Sequence, residues 1–371
     1  MEAFSVVDNR HEYAKKWKEQ TGGRVVGVFC SYVPEELIYA AGALPVRVLG
    51  SHEPQDVAEP HIFSMFCPFS RDVLAQGLTG KYDYLDGIVH ALSCIHLRQA
   101  FDSWQTHVPT SYGYFFPMPA HLQSPHAQQH LEFELQEFKG SLEEWTGKPI
   151  TDTALDEAIE VYNRNRRLMR QVYELRKNTP PLVSGVEAME MVLASMFMDK
   201  REHNQLLERW LEELPQRQNG IEPGIRLMVL GSENDDREVL RLVESLGANV
   251  VIDDHCTGSR YFWSEVLPGE DRLAAIASRY IDRPPCPSKD LVERRRFDHV
   301  LKLAEDYGVQ GAILIQQKFC DPHEFDIPPL KALFEERSIP SLFLEFDMTV
   351  PVGQIRTRIE AFLEIMESEL F

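Results

Sequence analysis

Short apolar runs alternate with amphipathic stretches along most of the chain. "VVGVFC" (25–30) has the length of a buried strand, and a corner follows it. Pro34 then opens a helix whose first turn holds Glu35 and Glu36, where acidic side chains meet the positive helix end. "LPVRVLG" (44–50) is a second strand. "IFSMFCPFSRDVLAQGL" (62–78) reads as a loop entering a helix, "DGIVHALSC" (86–94) as a buried strand, and "IHLRQAFDSWQ" (95–105) as the amphipathic helix after it. This βα rhythm implies a parallel sheet, because parallel neighbours need crossover connections. "PTSYGYFFPMPAHLQSP" (109–125) is rich in proline and aromatic residues and reads as an ordered connection at a domain edge.

From about His130 to Gln218 the period is helical. "TDTALDEAIEVYNRNRRLMRQVYELR" (151–176) starts on the capping candidates Thr151 and Asp152, and "NTPPLVSG" (178–185) ends it. "VEAMEMVLASMFM" (186–198) and "EHNQLLERWLEEL" (202–214) are two further helices. The first of these is rich in methionine, which suits core packing, a partner surface or a lid. "QNGIEPG" (218–224) reads as a linker.

The βα rhythm resumes at Ile225. "IRLMVLG", "ANVVIDD", "VQGAILIQQKFC" and "IPSLFLEFD" read as strands. "DDREVLRLVESLG", "ERRRFDHVLKLAEDYG", "PPLKALFEERS" and the closing "GQIRTRIEAFLEIMESEL" read as helices. The pattern predicts an α/β protein with two Rossmann-like parallel-sheet domains, at 1–125 and 221–371. A helical segment at 126–220 lies between them.

The 371 residues are enough for two or three domains, and 43% hydrophobic with 26% charged content is ordinary for a globular protein. A formal net charge of −20 argues against nucleic acid or an anionic membrane as partner. "MEAFSVVDNRHEYAKKW" has no apolar leader core, and no run approaches the length of a membrane span. A cytoplasmic protein is expected. The six cysteines are scattered and too sparse for a disulfide scaffold, so reduced thiols are expected.

Cys30, Cys94, Cys256 and Cys320 sit at or just past predicted strand ends. Open parallel sheets bind ligands outside the carboxyl ends of their strands, so these thiols point towards a crevice between the two domains. Converging thiolates there suit a soft metal centre. The same positions also suit small buried hydrophobes, and no C-x-x-C pair is present. His90, His96, His255 and His323 lie near three of the cysteines and make zinc a rival. His255 is either a proton donor, since an imidazole titrates near neutrality, or a satisfied structural residue. Cys286, in "RPPCPSKD", reads as a structural loop thiol. No G-x-x-x-x-G-K-[ST] loop occurs, so no ATP hydrolysis is expected of this chain.

Six separated motifs, "GVFCSYVPEELIYAAGALPVRV", "FCPFSRD", "VHALSCIHLRQAFDSW", "VVIDDHCTGSRYFW", "LIQQKFCDPHEFDIPPLK" and "GQIRTRIEAFLE", occur in order from about residue 25 to the C-terminus. Together they resemble the 2-hydroxyacyl-CoA dehydratase / benzoyl-CoA reductase family. The resemblance implies one [4Fe–4S] cluster held by Cys67, Cys94 and Cys320, bridging the crevice and leaving one iron open to a substrate carbonyl, water or a sulfur species. It leaves three roles open for Cys30: a fourth ligand, a partner to whatever occupies the open iron, or a packed thiol. Ser31 beside it is a further candidate near the open iron. Arg71, Arg98, Arg260, Arg356 and Arg358 become candidates for CoA phosphates, with surface ion pairing as the ordinary alternative.

The resemblance further implies a homologous second catalytic subunit, and a separate ATP-hydrolysing iron–sulfur activating component fed by ferredoxin. The substrate implied is an acyl-CoA or aroyl-CoA. The texture of "LSCIHLRQAFDSWQTHVPTSYGYFFPMPAH" is closer to the smaller catalytic subunit of ATP-dependent benzoyl-CoA reductase. That enzyme reduces the aromatic ring to a cyclohexadiene thioester. The alternative within the family is a 2-hydroxyacyl-CoA dehydratase subunit, which works through a ketyl radical. Outside catalysis stands an electron-relay subunit, and outside iron–sulfur chemistry a zinc-dependent hydrolase.

Overall fold

Two parallel sheets with the same strand order organise the molecule. The computed structural model describes residues 2–216, 220–291, 293–347 and 352–369. The first sheet holds β1 (Arg24–Val28), β2 (Ala43–Arg47), β3 (Gly87–Ala91) and β4 (Tyr112–Phe116) in the order β2-β1-β3-β4. The second holds β5 (Ile225–Gly231), β6 (Ala248–Asp254), β7 (Gly311–Gln317) and β8 (Ser341–Phe346) in the order β6-β5-β7-β8. Every pairing in both sheets is parallel. In each sheet the chain runs outward one way from the first strand and then the other way, so the strand order reverses at β1/β3 and at β5/β7. Those reversal points are where such sheets leave a crevice.

The helices are α1 (Arg10–Thr21), α2 (Glu35–Ala40), α3 (Pro68–Leu78), α4 (Ile95–His107), α5 (Ala127–Thr146), α6 (Asp152–Glu174) and α7 (Gly185–Ser195). They continue with α8 (Lys200–Glu213), α9 (Arg237–Ser245), α10 (Ser259–Phe262), α11 (Arg272–Asp282), α12 (Arg295–Asp306), α13 (Asp321–Glu336) and α14 (Val352–Glu369). Thr151 caps α6, its side chain accepting the Ala154 N–H. Ser184 and Glu187 form a reciprocal capping box on α7. Among the described residues no helix is long and apolar enough to cross a membrane.

The alternation predicted along the sequence is therefore an α/β architecture, as expected. Two local expectations change. "YGYFF" is strand β4 rather than a connection. Its aromatic side chains are held by α5, with Trp145 stacked on Tyr112 at 4.5 Å and Phe138 tilted against Tyr114 at 4.7 Å. Helix α13 starts seven residues before "PPLKALFEERS", at Asp321, and keeps Pro328 and Pro329 inside it. Two backbone hydrogen bonds are lost there, but the buried face of Ile327, Leu330 and Phe334 holds the helix together. Part of the linker "QNGIEPG", Gln218 and Asn219, lies outside the described residues.

The central helices pack on both sheets. Arg166 of α6 forms a buried ion pair with Glu36 of α2. The N–H of Gly185, at the start of α7, donates to Glu244 of α9 at 2.6 Å. One apolar core runs through both halves and includes Val25, Leu44 and Ile88 with Leu227, Val250 and Ile313.

Candidate functional site: a thiol-lined crevice between the sheets

The carboxyl ends of the two sheets are tied to each other. The Gly50 N–H donates to Asp235 at 2.5 Å, and His52 Nε2 meets the same carboxylate at 2.8 Å. Arg71 pairs with Asp347 at 3.3 Å. These contacts join the loop after β2 and helix α3 to the loops after β5 and β8. The strand-order reversals of the two sheets border the crevice that they close.

Each expected ligand sits where the chain enters a helix. Cys67, Cys94 and Cys320 are the N-cap residues of α3, α4 and α13. None of the three caps is closed by a side-chain hydrogen bond. The first N–H groups of a helix lack intrahelical partners and carry partial positive charge, so they favour an anion placed there. Cys94 follows β3 and Cys320 follows β7, one from each reversal point. Cys67 follows no strand; the loop ahead of α3 brings it in. The loops are linked through His96, whose Nδ1 accepts the Cys67 N–H at 3.1 Å and whose Nε2 lies 3.4 Å from Asp321. Its ring stacks on Phe66 at 4.6 Å.

Burial pushes the Cys67, Cys94 and Cys320 thiols up, and the three act on one another: Cys67 raises Cys94 further, and Cys67 and Cys94 raise Cys320. Mutual repulsion of this kind requires the three sulfurs to share one region. Among the described residues no three His, Cys, Asp or Glu side chains close around a single metal ion.

Cys30 and Ser31 diverge. Cys30 joins the thiol region, since it and Cys286 both act on Cys94 and on the buried Lys289. Ser31 turns to the other side: its carbonyl accepts Arg283 Nη1 at 2.5 Å, and it lines a buried polar cavity with Glu35, Tyr162 and Lys200. His255 is buried, with Nδ1 at 2.7 Å from the Ser232 carbonyl, so that nitrogen carries the hydrogen. Its Nε2 is buried with no hydrogen-bond partner, and burial lowers its pKa. The ring therefore presents a lone pair, and donating a proton from Nε2 requires taking one up first. Cys256 is half-buried beside Arg47 and Arg260, and burial pushes its thiol up to about 12 despite both cations.

The candidate phosphate-binding arginines are not brought together. Arg260 is 1% exposed and paired with Asp254 at 3.4 Å. Arg98 stacks on Phe115, and Arg356 and Arg358 lie on α14, bonded to Glu360 and to the Phe343 carbonyl. Three crevice residues escaped the sequence reading: Arg47, Glu233 and Lys289. Arg47 had a signal, as a lone charge in the apolar run "LPVRVLG". Glu233 lies just past a strand end, as the cysteines do. Burial pushes its carboxyl well up and lowers the Lys289 amine to about 8. Lys289 Nζ donates to the Pro119 carbonyl at 2.8 Å, a contact that no sequence pattern announces.

Comparison with known proteins adds to this geometry. The family model described as 2-hydroxyglutaryl-CoA dehydratase, D-component, matches residues 30–366. The beta subunit of (R)-2-hydroxyglutaryl-CoA dehydratase from Acidaminococcus fermentans is 30% identical over 356 residues, covering 94% of each chain. The beta subunit of (R)-phenyllactyl-CoA dehydratase from Clostridium sporogenes is 28% identical, covering 97% of this chain and 96% of the relative. The C subunit of benzoyl-CoA reductase from Thauera aromatica is 27% identical, covering 92% of this chain and 90% of the relative.

Proposed function

The chain belongs to the 2-hydroxyglutaryl-CoA dehydratase D-component family, and from that premise we propose that it is the iron–sulfur subunit of an enzyme that delivers low-potential electrons to a CoA thioester. One observation carries the reading. Three thiols from three separate loops, Cys67, Cys94 and Cys320, each cap a helix and stand within electrostatic reach of one another.

The donor set suits a [4Fe–4S] cluster. Cysteine thiolates are its usual ligands, and they bind different irons, so they need not meet at one ion. Three helix N-termini aimed at one anionic group would stabilise it. Cys67, Cys94 and Cys320 would hold the cluster, which when bound supplies electrons at low potential. Cys30 stands beside the set as a fourth thiol. His255, with its free Nε2, is a group of this chain that can take up and return a proton. Ser31, facing Arg283, has a positioning role at most.

The relatives at 30%, 28% and 27% do not separate dehydration from ring reduction. The sequence texture favours ring reduction of benzoyl-CoA, and the names of two relatives favour dehydration of a 2-hydroxyacyl-CoA. Relatives named as beta or C subunits support a hetero-oligomer. The assembly proposed adds a homologous second subunit and an ATP-hydrolysing iron–sulfur activator fed by ferredoxin, in the cytoplasm.

The test is anaerobic co-expression with neighbouring genes, followed by assay with benzoyl-CoA and with 2-hydroxyacyl-CoA under ATP and strong reductant. Brown iron–sulfur absorption with turnover of one substrate is the expected result. Colourless protein with stoichiometric zinc would overturn the reading.

A further inference from the structure

The corner that carries Cys30 is held by groups remote from it in sequence. Cys30 follows β1, and the chain turns through Ser31, Tyr32 and Val33 into α2. One bond within the corner runs from the Val33 N–H to the Cys30 carbonyl at 3.0 Å. Three more come from α11 and the chain after it. Arg283 Nη1, 252 positions away, donates to the Ser31 carbonyl at 2.5 Å. The Tyr280 hydroxyl donates to the Val33 carbonyl at 2.9 Å. The Cys286 N–H donates to the Tyr32 hydroxyl at 3.1 Å.

Arg283 does most of this holding. It is the C-cap residue of α11 and is 2% exposed. Its Nη2 donates to the Arg260 carbonyl in α10 at 2.5 Å, and its guanidinium lies over the Tyr32 ring at 4.8 Å. The planar fork makes the Ser31 and Arg260 bonds move together, so the corner is fixed relative to α10. Ser31, Tyr32 and Val33 are buried, and a lost donor there leaves a buried carbonyl unpaired.

The corner sets where the Cys30 sulfur stands. Val28 lies opposite Val89, and the Phe29 N–H donates to the Val89 carbonyl at 3.0 Å. The end of β1 therefore runs beside the end of β3, the strand that leads to Cys94.

We propose that Arg283 is a positioning residue: by holding the Ser31 carbonyl it fixes the Cys30 sulfur at the crevice, beside the strand that leads to Cys94. This rests on the reading of Cys30 as a thiol of that crevice. It requires no bound cluster, so it is tested on the metal-free chain.

Native protein, Arg283→Met and Arg283→Lys are treated with iodoacetamide well below their melting temperatures, and labelling at each cysteine is followed by mass spectrometry. Arg283→Met should speed labelling of Cys30 by about tenfold, the change expected when a bond from a charged donor is lost. Cys67, which Arg283 does not touch, should keep its native rate. Arg283→Lys retains one donor and should fall between the two. An unchanged Cys30 rate overturns the proposal, and so does a rise shared equally by Cys30 and Cys67, which is what general destabilisation produces. Arg283→Lys keeps the charge and most of the stem, so it decides by the same criterion where Arg283→Met does not fold. Iron content plays no part in this readout: a Cys30-selective rise in a chain that never binds iron would leave the positioning role standing and remove the cluster.

Discussion

The Nδ1 of His96 accepts the backbone N–H of Cys67 at 3.1 Å, so the helix that follows one thiol loop holds the backbone of another. His96→Leu leaves that buried N–H without an acceptor, which costs about 1–3 kcal/mol. His96→Gln, which restores an acceptor, should recover most of it. Urea unfolding of the two variants measures the difference, and equal stability would show that the contact contributes nothing.

Cys67→Ala, Cys94→Ala and Cys320→Ala should each lose iron after anaerobic reconstitution. Cys30→Ala should retain most of it. Iron assay and visible absorption read the outcome. Full iron in all three of the first set would mean that other residues hold the metal.

Burial pushes the Glu36 carboxyl up, but Arg166 and Arg279 overcome it and hold it at about 2. Glu36→Gln strands Arg166 in the interior and should cost about 3–5 kcal/mol, the usual consequence of breaking a buried pair. The double variant Glu36→Leu with Arg166→Leu should be more stable than the single one. Chemical denaturation of the set measures this, and additive losses would rule out coupling.

The hydrogen bond to Asp235 raises His52 to about 9, above the ordinary imidazole value. A raised folded pKa stabilises the fold fully below about 6.5, and the contribution fades as pH rises through about 9. His52→Ala should therefore lower the melting temperature more at pH 6 than at pH 9.5. A loss independent of pH would mean that the charged contact between the sheets is not what His52 provides.

Gly231 has φ +132°, and a Cβ there would lie 1.9 Å from the Ile315 carbonyl oxygen. The end of β5 must pass this close to β7 to open the reversal point of the second sheet. Gly231→Ala combines a disfavoured backbone with a clash against a strand that cannot yield, so it should cost more than about 3 kcal/mol. Loss of soluble expression or a steep drop in thermal stability would register it; a melting temperature near that of the native chain would contradict the close approach.

The order of strands and helices was legible because period and punctuation are local properties. Apolar runs such as "IRLMVLG" and amphipathic stretches such as "DDREVLRLVESLG" state their own geometry. The strand-end positions of Cys30, Cys94, Cys256 and Cys320 were visible for the same reason. Strand β4 and the start of α13 were not, because aromatic packing under α5 and a buried helix face override the proline signals in those segments. The sheet order came only from pairing, and with it the placing of β1/β3 and β5/β7 at the crevice. Cys67 joins that crevice from a loop, and Arg71 of α3 pairs with Asp347 just past β8. Contacts between residues more than two hundred positions apart leave no mark on local periodicity. The sequence determined which elements form and which thiols lie at their ends, while tertiary packing decided which groups share one buried space and which charges remain there without partners.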